Sequence, residues 1–481
     1  MAVRRATGLA VLISTAWLGV AGALEGSGAP ARPTEAVPAA SPPPRRSVQA
    51  GPDARAAEPV SRPAIPAPSG AERRADPPAA PTAVPVGPPA AKPKPSVVPS
   101  PVKLSADPRP AFDPGTFINT MRAVERHLAV AEAGGWPVVP AGAVLKPGDR
   151  GPLVAALRRR LAASDDLPAD AVPDDAFDAP LLAAVKRFQF RHGLPETGTV
   201  AERTLHALNV PAEARARQLS ASAGRLAGST FPFGERYVVV NIPSATVEAV
   251  ENGQVRRRHV AVAGKADRPS PAVETRLTAV NLNPTWTVPV SLIRKDIIPQ
   301  MRKDPSFLAA QRIRVLDAAG GEVDQAAIDW STDSAVNYTL RQDPGADNSL
   351  GRMRIDMPNK HAVFLHDTPK KGLFARAARF HSSGCVRVAD VEALAAWLLE
   401  GTPGPNGAWT PFEIAAGLAS GERLDVKLVK PVPVAWVYLT GWATPDGAVH
   451  FRDDVYGLDL VREPMTPDPV QTSSIRPPRA N

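Results

Sequence analysis

The sequence has almost no cysteine, because Cys385 is the single cysteine among 481 residues. One cysteine cannot pair within its own chain, so internal disulfides are excluded. The histidines and acids lack the spacing of a metal site, and no glycine-rich nucleotide loop is present, so neither a metal ion nor a cofactor is predicted. Cys385 is therefore either a buried, inert thiol or a nucleophile.

Long apolar runs are also scarce, and the run from about Leu9 to Val20 is shorter than the roughly 20 residues that a transmembrane helix needs. Arg4 and Arg5 precede it, and Ala21-Gly22-Ala23 has the form of a signal-peptidase site. We therefore interpret residues 1–23 as a signal peptide and expect a periplasmic protein. A membrane tether would exist only if the signal were retained uncleaved.

Residues 24–110 are predicted to be a disordered linker rich in proline and alanine. Positions 25–110 hold 23 of the 55 prolines, and eleven Lys and Arg against seven Asp and Glu. That stretch and the two arginines of the signal account for most of the net charge of +8. The remaining chain is close to neutral, so the high pI does not indicate a nucleic-acid partner.

Helical periodicity dominates the next part of the chain, which we divide into a helical scaffold segment (111–145), a three-helix domain (146–210) and a linking helix (211–235). Pro180 stands at the first turn of the middle helix of that domain. The three-helix domain resembles the peptidoglycan-binding domain, a unit that implies wall binding without catalysis. A purely structural three-helix bundle is the alternative.

The apolar period changes to two after Arg236, which predicts a β-rich domain from 236 to 430. Asn252-Gly253 lies between two alternating runs and is a strong hairpin signal. The region of about 286–350, helical in part despite Pro299, is predicted to be an insertion that caps the sheet. Residues 431–481 are assigned to C-terminal scaffold strands and a tail.

A candidate active site lies in the segment from His366 to Cys385, which are 19 positions apart. A thiol needs a neighbouring base or cation to become a thiolate, and a strand that ends at His366 could receive Cys385 after a loop. Ser382, Ser383 and Gly384 predict a tight turn whose backbone N–H groups would stabilise an oxyanion. His381, four residues before Cys385, is the second candidate base.

The motifs HDTP and SSGCVRV in a β-rich exported domain resemble the catalytic domain of the YkuD-type L,D-transpeptidases. The resemblance to the long periplasmic subgroup similar to YcbB also includes GKADRPSP, NPTWTVP and LRQDPGADNSLGRMR. It implies an α+β multidomain protein with a sandwich-like catalytic domain and a capping insertion. It also implies that the cysteine attacks peptidoglycan tetrapeptide stems, with carbapenem sensitivity.

The resemblance implies that Cys385 is the nucleophile and His366 its base. Arg387 would hold a stem carboxylate or support the site, and Asp367 or a backbone carbonyl would orient His366. Trp286 is either a wall of the cleft or packing, and Phe364 is a departure, because relatives often have tyrosine there.

The expected activity is formation of 3→3 cross-links through a thioester on Cys385. Release of the acyl group to water would make the protein an L,D-carboxypeptidase, and release to a lipoprotein amine would make it an anchoring enzyme. A non-catalytic wall-binding protein is the alternative from another class.

Overall fold

The computed structural model describes residues 104–142, 144–171 and 174–459. The predicted signal peptide, nearly all of the predicted linker and the end of the predicted tail lie outside these ranges. Within them, helices precede a β-rich part, which confirms the α+β class. No helix in the described ranges is both long and apolar enough to cross a membrane.

Helices form the N-terminal part of the described chain. In order they are α1 (Thr116–Glu132), α2 (Pro152–Ala162), α3 (Ala179–Arg191), α4 (Glu202–Asn209) and α5 (Ala212–Leu226). Helix α3 begins where the Asp178 carboxylate accepts the Leu181 N–H at 2.9 Å, with Pro180 in the first turn. Helices α2, α3 and α4 share one apolar cluster around Leu157 and Phe188, so the predicted three-helix domain has its own core.

Strands dominate the rest of the described chain. In chain order they are β1 (Arg236–Asn241), β2 (Thr246–Glu251), β3 (Gln254–Gly264), β4 (Val273–Leu282), β5 (Trp286–Thr287), β6 (Ile313–Leu316), β7 (Glu322–Val323), β8 (Thr339–Gln342), β9 (Met353–Asp356), β10 (Leu365–His366), β11 (Phe380–Ser382), β12 (Val386–Val388), β13 (Leu424–Val437), β14 (Gly441–Ala443) and β15 (Val449–Phe451).

The main sheet has the order β11-β3-β12-β10-β9-β4-β13-β1-β2, and β2 pairs again with β3. The sheet therefore closes on itself through β3, which pairs with β2 up to Val260 and with β12 at Ala261 and Val262. An apolar core that includes Val240, Leu277 and further valines and leucines fills the interior. The strand order is far from chain order, so residues distant in sequence become neighbours.

The β2–β3 hairpin confirms the turn predicted at Asn252-Gly253. Glu251 pairs with Gln254, and both turn residues have positive φ, 52° for Asn252 and 75° for Gly253. A type I′ turn requires this conformation at both central positions, and Asn and Gly adopt it most readily.

Strand β13 crosses the predicted domain boundary at 430/431. It pairs in parallel with β1, with Val238 opposite Val434, and antiparallel with β4. The ladder with β4 shifts register between Lys427 and Val432, and Pro431 falls within this irregular stretch, where a missing N–H is tolerated. The C-terminal scaffold therefore continues a strand of the catalytic sheet.

The insertion forms a separate small layer. Its helical segments are α6 (Val290–Leu292), a π-helical turn (Ile293–Ile297), α7 (Ile298–Lys303) and α8 (Phe307–Ala310), and its sheet has the order β5-β8-β6-β7. Pro299 lies in the first turn of α7, directly after the π-helical turn. The insertion packs around its own apolar cluster, which includes Ile298, Leu308 and Leu340.

Two further helices, α9 (Val391–Leu398) and α10 (Pro411–Ala419), pack against the core of the main sheet. The β14–β15 hairpin packs instead against α1 and α5, with Val449 and Phe451 beside Val124 and Leu219. Helices α1 and α5 and the C-terminal hairpin thus share a core.

Candidate active site

Cys385 lies in a tight turn between β11 and β12. The Ser382 hydroxyl accepts the Gly384 N–H at 3.2 Å and donates to the Cys385 carbonyl, which closes the turn. Gly384 has a φ of 119°, which favours glycine, whereas an added Cβ would meet other atoms only at an ordinary 3.7 Å. Glycine is therefore needed here for its backbone conformation.

The turn is also braced from the loop after β3. The Ser270 hydroxyl donates to the Gly384 carbonyl at 2.7 Å and accepts the Gly264 N–H at 2.9 Å. Because the Gly384 N–H is engaged by Ser382, the neighbouring N–H groups of Ser383 and Cys385 are the candidate donors of the turn for an oxyanion. The predicted oxyanion role of these backbone groups stays a prediction.

His366 reaches the same face of the sheet as Cys385. Strands β10 and β12 are parallel neighbours in which Leu365 pairs with Val386 and His366 with Arg387. Leu365 and Val386 are fully buried in the core. Because side chains alternate along a strand, His366, Cys385 and Arg387 all point to the opposite face, with His366 diagonal to Cys385. The loop predicted between His366 and Cys385 therefore returns the chain to an adjacent strand.

A polar row crosses five strands at this position. Its members pair in register with their neighbours from β13 to β12, in the order Asp425, Asn281, Arg354, His366 and Arg387. The Asn281 amide donates to the Asp425 carboxylate at 2.8 Å. His366 is thus held between two arginines, one on each side.

Burial and these arginines set the charge states at the site. Burial, and then Arg387, lowers the pKa of His366 to about 3, while the backbone carbonyls of Asp367 and Leu350 oppose the shift. Burial raises the pKa of the Cys385 thiol to about 11, opposed by the Phe364 backbone and by Arg354 and Arg387. At neutral pH the resting pair is therefore a thiol and a neutral imidazole. In the described residues the Cys385 sulfur makes no hydrogen bond to the ring.

The Asp367 side chain serves the loop before β9. Its carboxylate accepts the Arg352 N–H at 3.1 Å and pairs with the Lys371 ammonium. Gly351, with a φ of 64°, lies so close that an added Cβ would be 2.5 Å from this carboxylate. In the described part of the chain, the His366 Nδ1 atom has no hydrogen-bond partner. Asp367 therefore follows His366 in the chain, but its carboxylate makes no hydrogen bond to the imidazole ring among the described residues.

Phe364 contacts two members of the polar row. Its ring centroid lies 5.7 Å from that of His366 in an edge-on arrangement, and the Arg354 guanidinium lies over the ring at 4.9 Å. Phe364 therefore limits the tilt of the imidazole and holds Arg354 by a cation–π contact.

Two other predicted residues lie at the insertion. Trp286 pairs with Gln342 in the insertion sheet and packs on the insertion's own cluster, so the structure does not bring it to Cys385. The Ser383 hydroxyl accepts a bond of 3.3 Å from Arg268, whose guanidinium also binds Asp296 at 2.8 Å. Ser383 thus connects the nucleophile turn to the insertion.

His381, the second candidate base, lies on β11, and its Nε2 atom contacts the Ala378 carbonyl at 3.0 Å. Strand β11 pairs with β3, so His381 does not share the row of His366. Arg354, Ser270 and Arg268 were not predicted as site residues from the sequence. All three stand in the blocks GKADRPSP and LRQDPGADNSLGRMR, but nothing local in those blocks assigned them a role.

The described residues contain no group of three or more His, Cys, Asp or Glu side chains that could hold a metal ion. What the geometry offers is a thiol, a neutral base and two cations on one sheet face. This is the constellation of thiol-dependent acyl transfer.

Comparison with known protein families agrees with this class. Residues 235–405 match the YkuD model, described as the L,D-transpeptidase catalytic domain, and residues 150–208 match the "Putative peptidoglycan binding domain". The chain therefore carries a YkuD-type L,D-transpeptidase catalytic domain together with a peptidoglycan-binding domain, as the sequence motifs predicted.

One curated relative, a "Putative L,D-transpeptidase" of Haemophilus influenzae, is 34% identical over 244 residues. The match covers 50% of this chain and 48% of the relative, so the chain spans about half the length of that protein. Among solved structures, the L,D-transpeptidase of Xylanimonas cellulosilytica has 15% identity and a TM-score of 0.20, over 62% of this chain and 98% of that one. The L,D-transpeptidase LdtMt1 in complex with imipenem has 15% identity and a TM-score of 0.20, over 42% and 59%.

Proposed function

We propose that this protein is a peptidoglycan L,D-transpeptidase that forms 3→3 cross-links through a thioester on Cys385. The observation that carries the proposal is the placement of Cys385 and His366 on one face of neighbouring strands, inside the part that matches the YkuD catalytic domain. The substrate class follows from that family and from the second matched domain.

The first half-reaction acylates Cys385. The sulfur attacks the carbonyl of the third residue of a tetrapeptide stem while His366 takes the thiol proton. The Cys385 N–H donates to the oxyanion, and the charges of Arg354 and Arg387 favour the negative intermediate. The carbon–nitrogen bond then breaks, the proton passes from His366 to the amine of the departing D-alanine, and a thioester remains.

The second half-reaction needs an acceptor. The side-chain amine of another stem attacks the thioester, His366 accepts the amine proton, and the new amide forms as the carbon–sulfur bond breaks. The same proton returns to the thiolate, so the enzyme is regenerated without a cofactor. Water or a lipoprotein amine would use the same residues, and the acceptor therefore decides the product.

The proposal includes export to the periplasm, where peptidoglycan lies, and wall contact through the three-helix domain. Its support is the signal-like sequence of residues 1–23 and the match of residues 150–208. Fractionation of cells that express the full chain tests the location. Recovery of the protein in the cytoplasm would contradict this part of the proposal.

Intact mass spectrometry after incubation with a carbapenem tests the acyl enzyme. A thiol opens the β-lactam ring by attack on its carbonyl, so we expect the wild type to gain the mass of one carbapenem. Cys385→Ala is expected to gain nothing. An unmodified wild type, or an equal adduct on Cys385→Ala, would leave the non-catalytic alternative standing.

Analysis of products from purified tetrapeptide muropeptides distinguishes the acceptors. A transpeptidase yields dimers with 3→3 links, whereas a carboxypeptidase yields tripeptides and free D-alanine. Tripeptides without dimers would replace the proposed reaction by hydrolysis. A lipoprotein with an amine-bearing C-terminal side chain, added as a competing acceptor, would reveal the anchoring activity.

A further inference from the structure

A cavity of about 350 Å³ lies where the three-helix domain meets the rest of the described chain. Its walls come from α1, α2, α3, α5 and the β14–β15 hairpin, so residues from both sides of this joint contribute. Its volume is within the range of sites that hold small ligands or the end of a peptide. Neither Cys385 nor His366 lines it.

The lining of this cavity, here called the arginine cavity, is rich in positive charge. Five arginines and three aspartates line it: Arg126, Arg160, Arg187, Arg191, Arg215, Asp165, Asp166 and Asp446. Two of the acids are already neutralised, because Asp166 pairs with Arg191 and Asp446 pairs with Arg109, which lies outside the lining. The remaining cations have little acidic compensation within the cavity.

Arg160 is the most unusual member of the lining. It is only 1% exposed, and its guanidinium lies 4.1 Å from the centre of the Trp136 ring. Its Nε donates to the Leu208 carbonyl at 2.6 Å, but Nη1 is buried and has no partner in the described part of the chain. A buried guanidinium N–H without an acceptor is costly, and a bound oxyanion would satisfy it.

The clustered positive charge also affects the pKa values of His192 and Arg160. Burial, and then the charges of Arg215 and Arg191, lowers the pKa of His192 well below its usual value. Burial lowers the pKa of Arg160 to about 9, with repulsion from Arg215 and Arg191 added and attraction to Asp166 opposed to it. The cavity therefore disfavours further protons, and an anion would relieve the repulsion.

We propose that the arginine cavity binds a carboxylate of a peptidoglycan stem peptide, with Arg160 as the buried donor. The inference rests on the proposed substrate class and adds a second contact for it, away from Cys385. A peptide carboxylate fits better than a bare phosphate, because the aromatic rings of Trp136, Phe188 and Phe451 also line the cavity and offer apolar surface to alanine side chains.

The site requires both sides of the joint. Arg160 and Arg187 come from the three-helix domain, whereas Arg126 comes from α1 and Phe451 from β15. A stem bound here would fix one strand of the wall against the protein while another stem enters the catalytic cleft. Binding by the joint, rather than by the three-helix domain alone, is the distinguishing feature of the proposal.

Calorimetry with a soluble disaccharide tetrapeptide tests the site in the full chain carrying Cys385→Ala, which prevents turnover. Arg160→Met is expected to weaken one binding event at least tenfold. Arg159→Met is the matched control, because Arg159 is the preceding arginine of α2 but is exposed and does not line the cavity. Equal affinity of the two variants would overturn the proposal.

A second pair of variants covers the case in which Arg160→Met does not fold, as judged by circular dichroism. Arg126 and Arg187 are exposed at the rim, so Arg126→Gln/Arg187→Gln leaves the core intact. Its control is Arg122→Gln/Lys186→Gln, exposed neighbours outside the cavity. Weaker binding is expected only for the rim pair, and unchanged binding there would also overturn the proposal.

Ligand variants identify the chemistry. The same muropeptide with its carboxylates amidated is expected to lose the event, and inorganic phosphate at equal ionic strength is expected not to compete. Amidated ligand that binds equally, or phosphate that competes equally, would refute a carboxylate site. To separate the two proposals, the Arg160→Met enzyme with Cys385 intact is incubated with a carbapenem. An adduct on this enzyme together with lost muropeptide binding supports both proposals. Muropeptide binding by a wild type that forms no adduct refutes only the catalytic proposal.

Discussion

The catalytic face and the arginine cavity use the same electrostatic arrangement for different ends. On the catalytic face, Arg354 and Arg387 pair in register on either side of His366, whose pKa falls to about 3. In the cavity, arginines from separate helices surround His192, whose pKa is also lowered. Both places keep an imidazole neutral beside cations.

The difference is what stands next to the imidazole. On the catalytic face a thiol lies diagonal to it, so the neutral ring is a base and the cations favour the thiolate. No thiol lines the cavity, and the donor of Arg160 that has no partner within the described residues is suited to an anion that stays bound. Buried cations thus support chemistry or binding according to their neighbour.

Removal of the base is expected to have the largest effect on the catalytic side of this comparison. His366→Gln keeps the size of the side chain but accepts no proton, so carbapenem acylation should slow by roughly 10²–10⁴-fold, the usual contribution of a general base. Stopped-flow fluorescence or timed mass spectrometry measures the rate. His381→Gln is the control and should acylate at the wild-type rate.

The pH profile sharpens the same test. With a His366 pKa of about 3 and a thiol pKa of about 11, the neutral pair persists across the neutral range, so the wild-type rate should be flat from roughly pH 5 to 9. An inflection near pH 6.5 would show that the imidazole titrates as an exposed one does, against the effect of burial and Arg387.

Removal of a cation is expected to have an intermediate effect. Arg354→Met and Arg387→Met each take away a charge that lowers the thiol pKa. The pKa should rise by about one unit in each, which is about a tenfold loss of thiolate at a given pH. The pH dependence of iodoacetamide alkylation measures the thiol pKa directly. A general loss of structure would expose the thiol and move the midpoint of alkylation downward, because burial is what raises its pKa.

The control for these variants is Arg276→Met, which removes an exposed arginine from β4 of the same sheet. It should leave the alkylation midpoint unchanged. If Arg276→Met shifted the midpoint as much as Arg354→Met, the effect would come from the net charge of the protein. The shift would then not be specific to the polar row.

Some parts of the site can be predicted from the sequence, and others cannot. Cys385 and His366 stand in compact motifs, and the Asn252-Gly253 turn follows from local conformational preference. Arg354 could not be found this way, because its place beside His366 depends on the pairing of β9 with β10. That pairing is set by the whole sheet, whose order differs from chain order, and no local period records it.

Trp286 and Gly384 show a different limit. Trp286 occurs in a block that resembles the catalytic family, yet its packing partners belong to the insertion, and adjacency in sequence does not reveal which core a side chain joins. Gly384 was predicted as part of a tight turn, and the structure adds a φ of 119° as the reason for glycine at this position. The reason for each residue is supplied by the folded chain, through packing partners for Trp286 and through backbone conformation for Gly384.

The smallest expected effect concerns the contact between the nucleophile turn and the insertion. Arg268 donates to Ser383 and pairs with Asp296, whose side chain is well exposed, so the pair should contribute at most about 1 kcal/mol. Asp296→Asn should therefore change carbapenem acylation by no more than about fivefold. The change should shrink further in high salt, because screening already weakens the wild-type pair. Asp304→Asn, on the same insertion but bonded locally to Ser306, is the control. A loss of a hundredfold or more for Asp296→Asn would mean that the insertion governs access to Cys385, and that the catalytic face, like the arginine cavity, depends on residues from more than one part of the chain.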